Sequence, residues 1–191
     1  MKALTLRHPW AFAIAHLGKR VENREWDDRL VELMGVQHLV GERIAIHGGT
    51  APQRPKRRTV LPTNPWAELT RDLHHIRQHI LHDELPDRAA QYLAQQPGPI
   101  TAEHFILPGI VAVATIQGIT RSSRDPWAAQ GCLHILLSDV ITLPQPVQVP
   151  GAQGFWTVPP VVEAEVLRGA GIRREQPHEQ WSHLDGAAWL G

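Results

Sequence analysis

The stretch Ala3-Leu4-Thr5-Leu6-Arg7-His8-Pro9-Trp10-Ala11-Phe12-Ala13-Ile14-Ala15-His16-Leu17-Gly18-Lys19-Arg20-Val21-Glu22-Asn23-Arg24 changes its periodicity twice, and those changes set the fold. Ala3 to Leu6 reads as a short strand. Pro9 suits the first position of a helix, because its fixed φ is already helical and its missing N–H would have had no partner there. Trp10, Ile14 and Leu17 follow at helical spacing and predict one inward face. Gly18 is the residue type that ends such helices in the left-handed conformation, which places Lys19 at an exposed, anchored turn into an extended Arg20–Arg24. In that extension Glu22 and Arg24 share a face, with Lys19 nominally opposite.

Outward from this segment the chain alternates between strand and helix. Arg43-Ile44-Ala45-Ile46-His47 is a strand candidate closed by Gly48-Gly49, and Ile110 to Ile119 is a longer β-branched run; both belong in one sheet. Cys132 to Leu143 is a third apolar run. It leads into Pro144-Gln145-Pro146-Val147-Gln148-Val149-Pro150, where proline, lacking an N–H for the ladder, confines the chain to a sheet edge. Between His47 and Gly109 the pattern turns helical. Asn64-Pro65 is a helix start with Leu69, Leu73, Ile76 and Ile80 on one face, and a second helix covers Asp87 to Gln95. With strand-like flanks on both sides, about residues 50–107 form a helical insertion capping one side of a barrel. Pro159 to Leu167 is a further helix, and the tail to Gly191 offers Trp181 and Trp189 as anchors. The expected class is α+β: one domain over 1–158 with the insertion, and a C-terminal helix and tail over 159–191 packed on it.

A chain of 191 residues suits one domain with a sizeable apolar core. Lysine plus arginine and aspartate plus glutamate each total 19, so net charge gives no argument for a nucleic-acid partner and any such surface is local. Cys132 stands alone and cannot form an internal disulfide, which fits a reducing compartment; cytoplasmic localisation is expected. Arg7-His8-Pro9 interrupts the N-terminal apolar stretch before a signal-peptide core forms, and no window approaches the roughly 20 apolar residues of a membrane helix. No phosphate-loop glycine pattern occurs, and neither a cofactor, a metal nor a membrane partner is expected.

The run Leu4-Thr5-Leu6-Arg7-His8-Pro9-Trp10-Ala11, followed by Lys19-Arg20-Val21-Glu22-Asn23-Arg24 and Trp26, resembles the ASCH (activating signal cointegrator homology) family. The family signature is Gly-x-Lys-x-x-Glu-x-Arg, matched here by Lys19, Glu22 and Arg24, with the glycine displaced by one place to Gly18. Ile44-Ala45-Ile46-His47, Gly109 to Ala114, Asp125-Pro126-Trp127 and Gly151-Ala152-Gln153-Gly154-Phe155-Trp156 follow in family order, so the resemblance spans most of residues 2–158. It implies a PUA-like β-barrel of about five to six mixed strands flanked by helices. It also implies a positively charged cleft where the signature residues meet, working on RNA, DNA or a modified nucleoside.

Within that cleft the candidate base or phosphate contacts are Trp10, Lys19, Glu22, Arg24, His47 and Trp127. Lys19 is a point cation with three donors, and Arg24 a planar fork suited to phosphate or a base edge. Glu22 orients Arg24 or accepts from a base amine. Trp10 and Trp127 offer stacking faces, against the competing reading of core packing. Arg54, Lys56, Arg57 and Arg58 form a basic loop, an electrostatic arm or a solvated stretch. Some ASCH relatives are amidohydrolases of N4-acetylcytidine, and ribonuclease activity also occurs in the family; on that alternative Lys19 and Glu22 are the catalytic candidates. Those amidohydrolases carry threonine where this chain has Glu22, which places binding ahead of catalysis. A third alternative is a protein-interaction module using the Trp-rich tail. His75, His79 and His82 recur at helical spacing beside His74, on a flank expected to be wet rather than metal-bound, and Cys132 is expected to be an inert thiol.

Overall fold

The structure, a computed structural model, describes residues 1–53, 64–81, 91–92, 94–95 and 98–173. Its framework is one mixed sheet. Strand β1 (Lys2–Leu6) runs parallel to β3 (Arg43–Gly48), which pairs antiparallel with β4 (Gly109–Thr120), and β4 in turn with β5 (Leu133–Val147). The short β2 (Val21–Arg24) and β6 (Phe155–Thr157) add at the two ends, giving the order β2-β5-β4-β3-β1-β6. The sheet curls part-way, as an α+β half-barrel, and side chains bridge its two edges. Arg24 at the end of β2 donates to Thr5 O of β1 at 3.0 Å, and the Trp26 ring meets Phe155 of β6 edge-on at 6.2 Å.

Helix α1 (Trp10–His16) lies inside the curl. Its sequence predicts one apolar face, yet Ala11 through Ala15 are all buried. Ala11, Ile14 and Ala15 pack on Leu4, Leu6, Ile44 and Ile46 of the sheet, while Phe12, Ala13 and Leu17 pack on Ile76 and Phe105. Ile76 belongs to α3 (Pro65–Leu81), the insertion helix, which covers the flank of α1 that a lone amphipathic helix would leave wet. Asn64 starts α3 as expected, its Oδ1 accepting from Trp66 N at 3.0 Å. On the outer face of the sheet α4 (Pro160–Gly169) sets Val166 against Ala3, Ala45, Ile110 and Val113.

Two local features follow from backbone rules. In β4 the register shifts between Ile110 and Ala112, so Ile110 faces the outer core while Ala112, Ala114 and Ile116 face the inner one. One extra residue in a strand inverts the parity beyond it. Pro144 and Pro146 lie in β5, but past the Leu133–Leu136 segment that pairs with β2; there β5 has β4 on one side only, the edge that proline requires. The sequence reading omitted α2 (Asp28–Met34), whose caps are nevertheless legible: Asp27 Oδ1 accepts from Leu30 N at 2.8 Å, and Gly35 ends it at φ 61°. Of the helix expected over Asp87–Gln95, residues Gln91, Tyr92 and Ala94 are helical and most of the rest lies outside the described residues. Trp181 and Trp189 also lie outside them. Among the described residues no helix is long and apolar enough to cross a membrane.

Candidate functional site

The site begins at the turn after α1. Gly18 takes the left-handed φ of 76° that ends helices, and Lys19 N–H reaches back to Ala13 O at 3.1 Å, closing the turn over α1. The turn then directs the Lys19 side chain inward. Lys19 is only 1% exposed, so the exposed turn expected from the sequence is corrected. A buried ammonium needs acceptors to replace water, and this one has them. Nζ donates to Val21 O and, at 3.0 Å, to Glu22 Oε2, and it stands 5.7 Å from the centre of the Trp10 ring.

Glu22 is the centre of the cluster. Its side chain is 8% exposed, with Oε2 on Lys19 and Oε1 3.2 Å from Arg24 Nε. Strand alternation accounts for Glu22 and Arg24 on one face; the left-handed turn brings Lys19 to that same face, against its nominal parity. Arg24 is 19% exposed, and its guanidinium lies 5.5 Å from the centre of the Trp26 ring. Its Nε is buried without an aligned hydrogen bond among the described residues, despite the nearby carboxylate. On a solvated surface strand these three side chains would be exposed, whereas here Lys19 and Glu22 are buried.

They form the floor of a cleft of about 620 Å³ walled by Trp10, Trp26 and Trp127, with Arg7 and His75 also on its lining. Trp127 is held by its own loop. Asp125 Oδ1 accepts from Trp127 N at 2.8 Å, the side-chain turn that Asp before Pro favours. Asn23, pointing opposite to Glu22 along β2, donates to Trp127 O at 2.8 Å and accepts from Ala129 N at 3.0 Å. His134 completes the clamp, accepting from Ser123 N at 3.2 Å and donating through Nε2 to Ala129 O at 2.8 Å. The charges lining the cleft are Arg7, Lys19 and Arg24 against Glu22 and Glu25, so it is close to balanced rather than strongly positive.

His47 sits elsewhere. It lines a smaller neighbouring cleft of about 350 Å³ that shares Arg24 with the larger one. Its Nε2 lies 3.0 Å from Val149 O, a pure acceptor, so Nε2 carries the proton and Nδ1 accepts from Thr5 Oγ1 at 3.3 Å. Thr5 Oγ1 itself accepts from Trp156 Nε1 at 2.9 Å. Burial holds the His47 pKa below its ordinary value, against the opposing pull of the Val149 carbonyl. Gly151 lies flat on this ring: a Cβ there would come within 2.4 Å of His47 Cε1.

Other candidates fall around the cleft. Cys132 lines it, and burial pushes its thiol pKa up, followed by the carboxylates of Glu25 and Glu22, so it stays a protonated, unreactive thiol. Asp72 on α3 is buried, and that burial raises its pKa against the pull of Arg7, whose Nη2 is 3.4 Å from Asp72 Oδ2. His74 and His75 are exposed, as the wet flank predicts. The His79 side chain, His82, and the basic loop of Arg54, Lys56, Arg57 and Arg58 lie outside the described residues. Sequence reasoning missed Asn23, Arg7 and Asp72 as supports. Trp26 was in reach, since it shares strand parity with Glu22 and Arg24. No protein-family model matches the chain, and no curated protein matches it.

Proposed function

We propose that the larger cleft binds a nucleobase, presented by RNA or another nucleic acid or by a modified nucleoside. The observation that carries this reading is Glu22, a buried carboxylate fixed between two cations on the floor of a tryptophan-walled cleft. A carboxylate offers about four acceptor positions and no donor, and Lys19 and Arg24 occupy only part of them. The remainder suits the N–H donors of a base edge, guanine's adjacent ring N–H and amine above all. The tryptophans supply the flat walls on which any base stacks, worth about 1–3 kcal/mol per base. The cleft's volume falls within the range of small-ligand sites.

The half-barrel sheet and the convergence of Lys19, Glu22 and Arg24 support the ASCH resemblance and, with it, a PUA-like architecture for the domain. The near balance of charge favours reading a single base over tracking a long phosphate backbone. Hydrolysis with Lys19 as the key group is the weaker reading, because Nζ already donates to Val21 O and Glu22 Oε2 and so acts to hold the carboxylate.

Calorimetric titration with guanosine, cytidine, adenosine, uridine, N4-acetylcytidine and short single-stranded RNA tests the proposal. At least one nucleoside is expected to bind, and Glu22→Gln to weaken its binding about tenfold, the cost of one charge-assisted hydrogen bond. Equal binding by wild type and Glu22→Gln, or no binding by any ligand, refutes it. Chromatography of the same mixtures settles the hydrolytic alternative, which requires a Lys19-dependent product.

A further inference from the structure

Among the described residues Arg24 is the one charged side chain that lines both clefts, and its three nitrogens do different things. Nε faces Glu22 in the larger cleft and Nη2 is tied to Thr5 O. Nη1 makes no hydrogen bond to any described residue. The two clefts also differ in charge. Glu22 and Glu25 both line the larger one, whereas the smaller one is lined, besides Arg24, by Thr5, His47, Thr50, Gln153 and the small residues Gly49, Gly151, Ala152 and Gly154, with no carboxylate among the described residues. His47 contributes no charge there near neutral pH, its two nitrogens being engaged by Thr5 and Val149. Lys19, Glu22 and Arg24 together carry one net positive charge, and on the side of the smaller cleft no described lining residue offsets it. Gly49, Gly151 and Gly154 add no side chains to its walls, which also carry Arg24 and Thr50.

We infer that the smaller cleft takes the phosphate of the nucleotide whose base enters the larger one. The site is then bipartite, with Arg24 at the junction: its Nε edge helps to hold the base-reading carboxylate and its Nη1 donates to the phosphate. An arginine fork is suited to such a double task because its donors are fixed in one plane and diverge. The ligand class becomes a nucleotide, free or within a strand, in preference to a bare nucleoside. This inference rests on the base-binding reading of the larger cleft.

The test is the ratio of affinities for a nucleoside and its own 5′- and 3′-monophosphates, measured by calorimetry on wild type and on Ala152→Glu. Ala152 is exposed, lines the smaller cleft and is absent from the larger, so the variant sets a carboxylate where the phosphate would lie. On wild type one monophosphate is expected to bind about tenfold or more tightly than the nucleoside, as one charge-assisted hydrogen bond provides. On Ala152→Glu that ratio is expected to fall to one or below, with an unfolding midpoint close to that of wild type showing that the variant is folded. A wild-type ratio of one, or a ratio unmoved by Ala152→Glu, overturns the phosphate site while the base site stands. Failure of nucleoside and monophosphates alike overturns both.

Discussion

Two buried polar groups meet at Arg24, and they are finished to different degrees. In the His47 network every donor has its acceptor: Trp156 Nε1 to Thr5 Oγ1, Thr5 to His47 Nδ1, and His47 Nε2 to Val149 O. In the Lys19–Glu22–Arg24 cluster the account does not close among the described residues. Arg24 Nε lacks an aligned hydrogen bond, and Glu22 keeps acceptor capacity toward an open cleft. Buried polar groups in folded proteins are normally satisfied, so the unfinished cluster is the one that points to a ligand, and the finished one is scaffold. Burial alone distinguishes nothing here, since Lys19 and His47 are almost equally enclosed.

The contrast breaks most visibly at Glu22. Replacing it by alanine leaves the Lys19 ammonium buried without its carboxylate, and the expected loss is about 3–5 kcal/mol of unfolding free energy in urea titrations. The double variant Lys19→Met/Glu22→Leu is expected to recover most of that loss, because a well-packed apolar pair avoids the desolvation of both charges. A single-variant loss below about 1 kcal/mol would make the cluster equivalent to an exposed ion pair and remove the distinction.

The finished network is sharpened by pH. Burial lowers the native pKa of His47 and of His8, whose Nε2 is tied to Gly49 O, below the ordinary histidine value of 6.5. Between 6.5 and the lowered native values the unfolded chain holds more protons than the folded one, so stability falls as pH is lowered through that window and is level above it. The slope is at most about 1.4 kcal/mol per pH unit for each histidine. His47→Gln, which keeps a donor and an acceptor, is expected to flatten the dependence, and unfolding midpoints between pH 5 and 8 would show it.

The smallest effect concerns salt. A cleft with near-balanced charge that engages one phosphate is expected to give single-stranded RNA binding a slope of about −0.7 in log K against log salt. A slope several times steeper would shift the weight of binding from the cleft to a larger basic surface.

Much of the framework was legible because it rests on local periodicity and end signals. The strand–proline–helix–glycine order of residues 3–18, the start of α3 at Asn64-Pro65, and the β-branched runs of β3 and β4 all express short-range stereochemistry. What escaped was non-local. The all-round burial of α1 depends on α3, some fifty residues downstream by its Pro65 start, and the barrel was expected where a half-barrel with side-chain bridges stands. At the site, sequence supplied the residues and the Glu22–Arg24 parity, but placed Lys19 outward and grouped His47 with it.

The sequence by itself determined which charges are present, and that a left-handed turn and a strand carry them side by side. Only the tertiary structure decided where they point and what remains open. The direction of a side chain leaving a turn is set by what packs against it: Trp10 and Glu22 draw Lys19 inward, and the loop clamped by Asn23 and His134 sets Trp127 on the cleft wall. Trp10 and Glu22 lie near Lys19 in the chain, but Asn23 meets Trp127 across 104 residues, and whether a donor is finished or free depends on all of these neighbours at once.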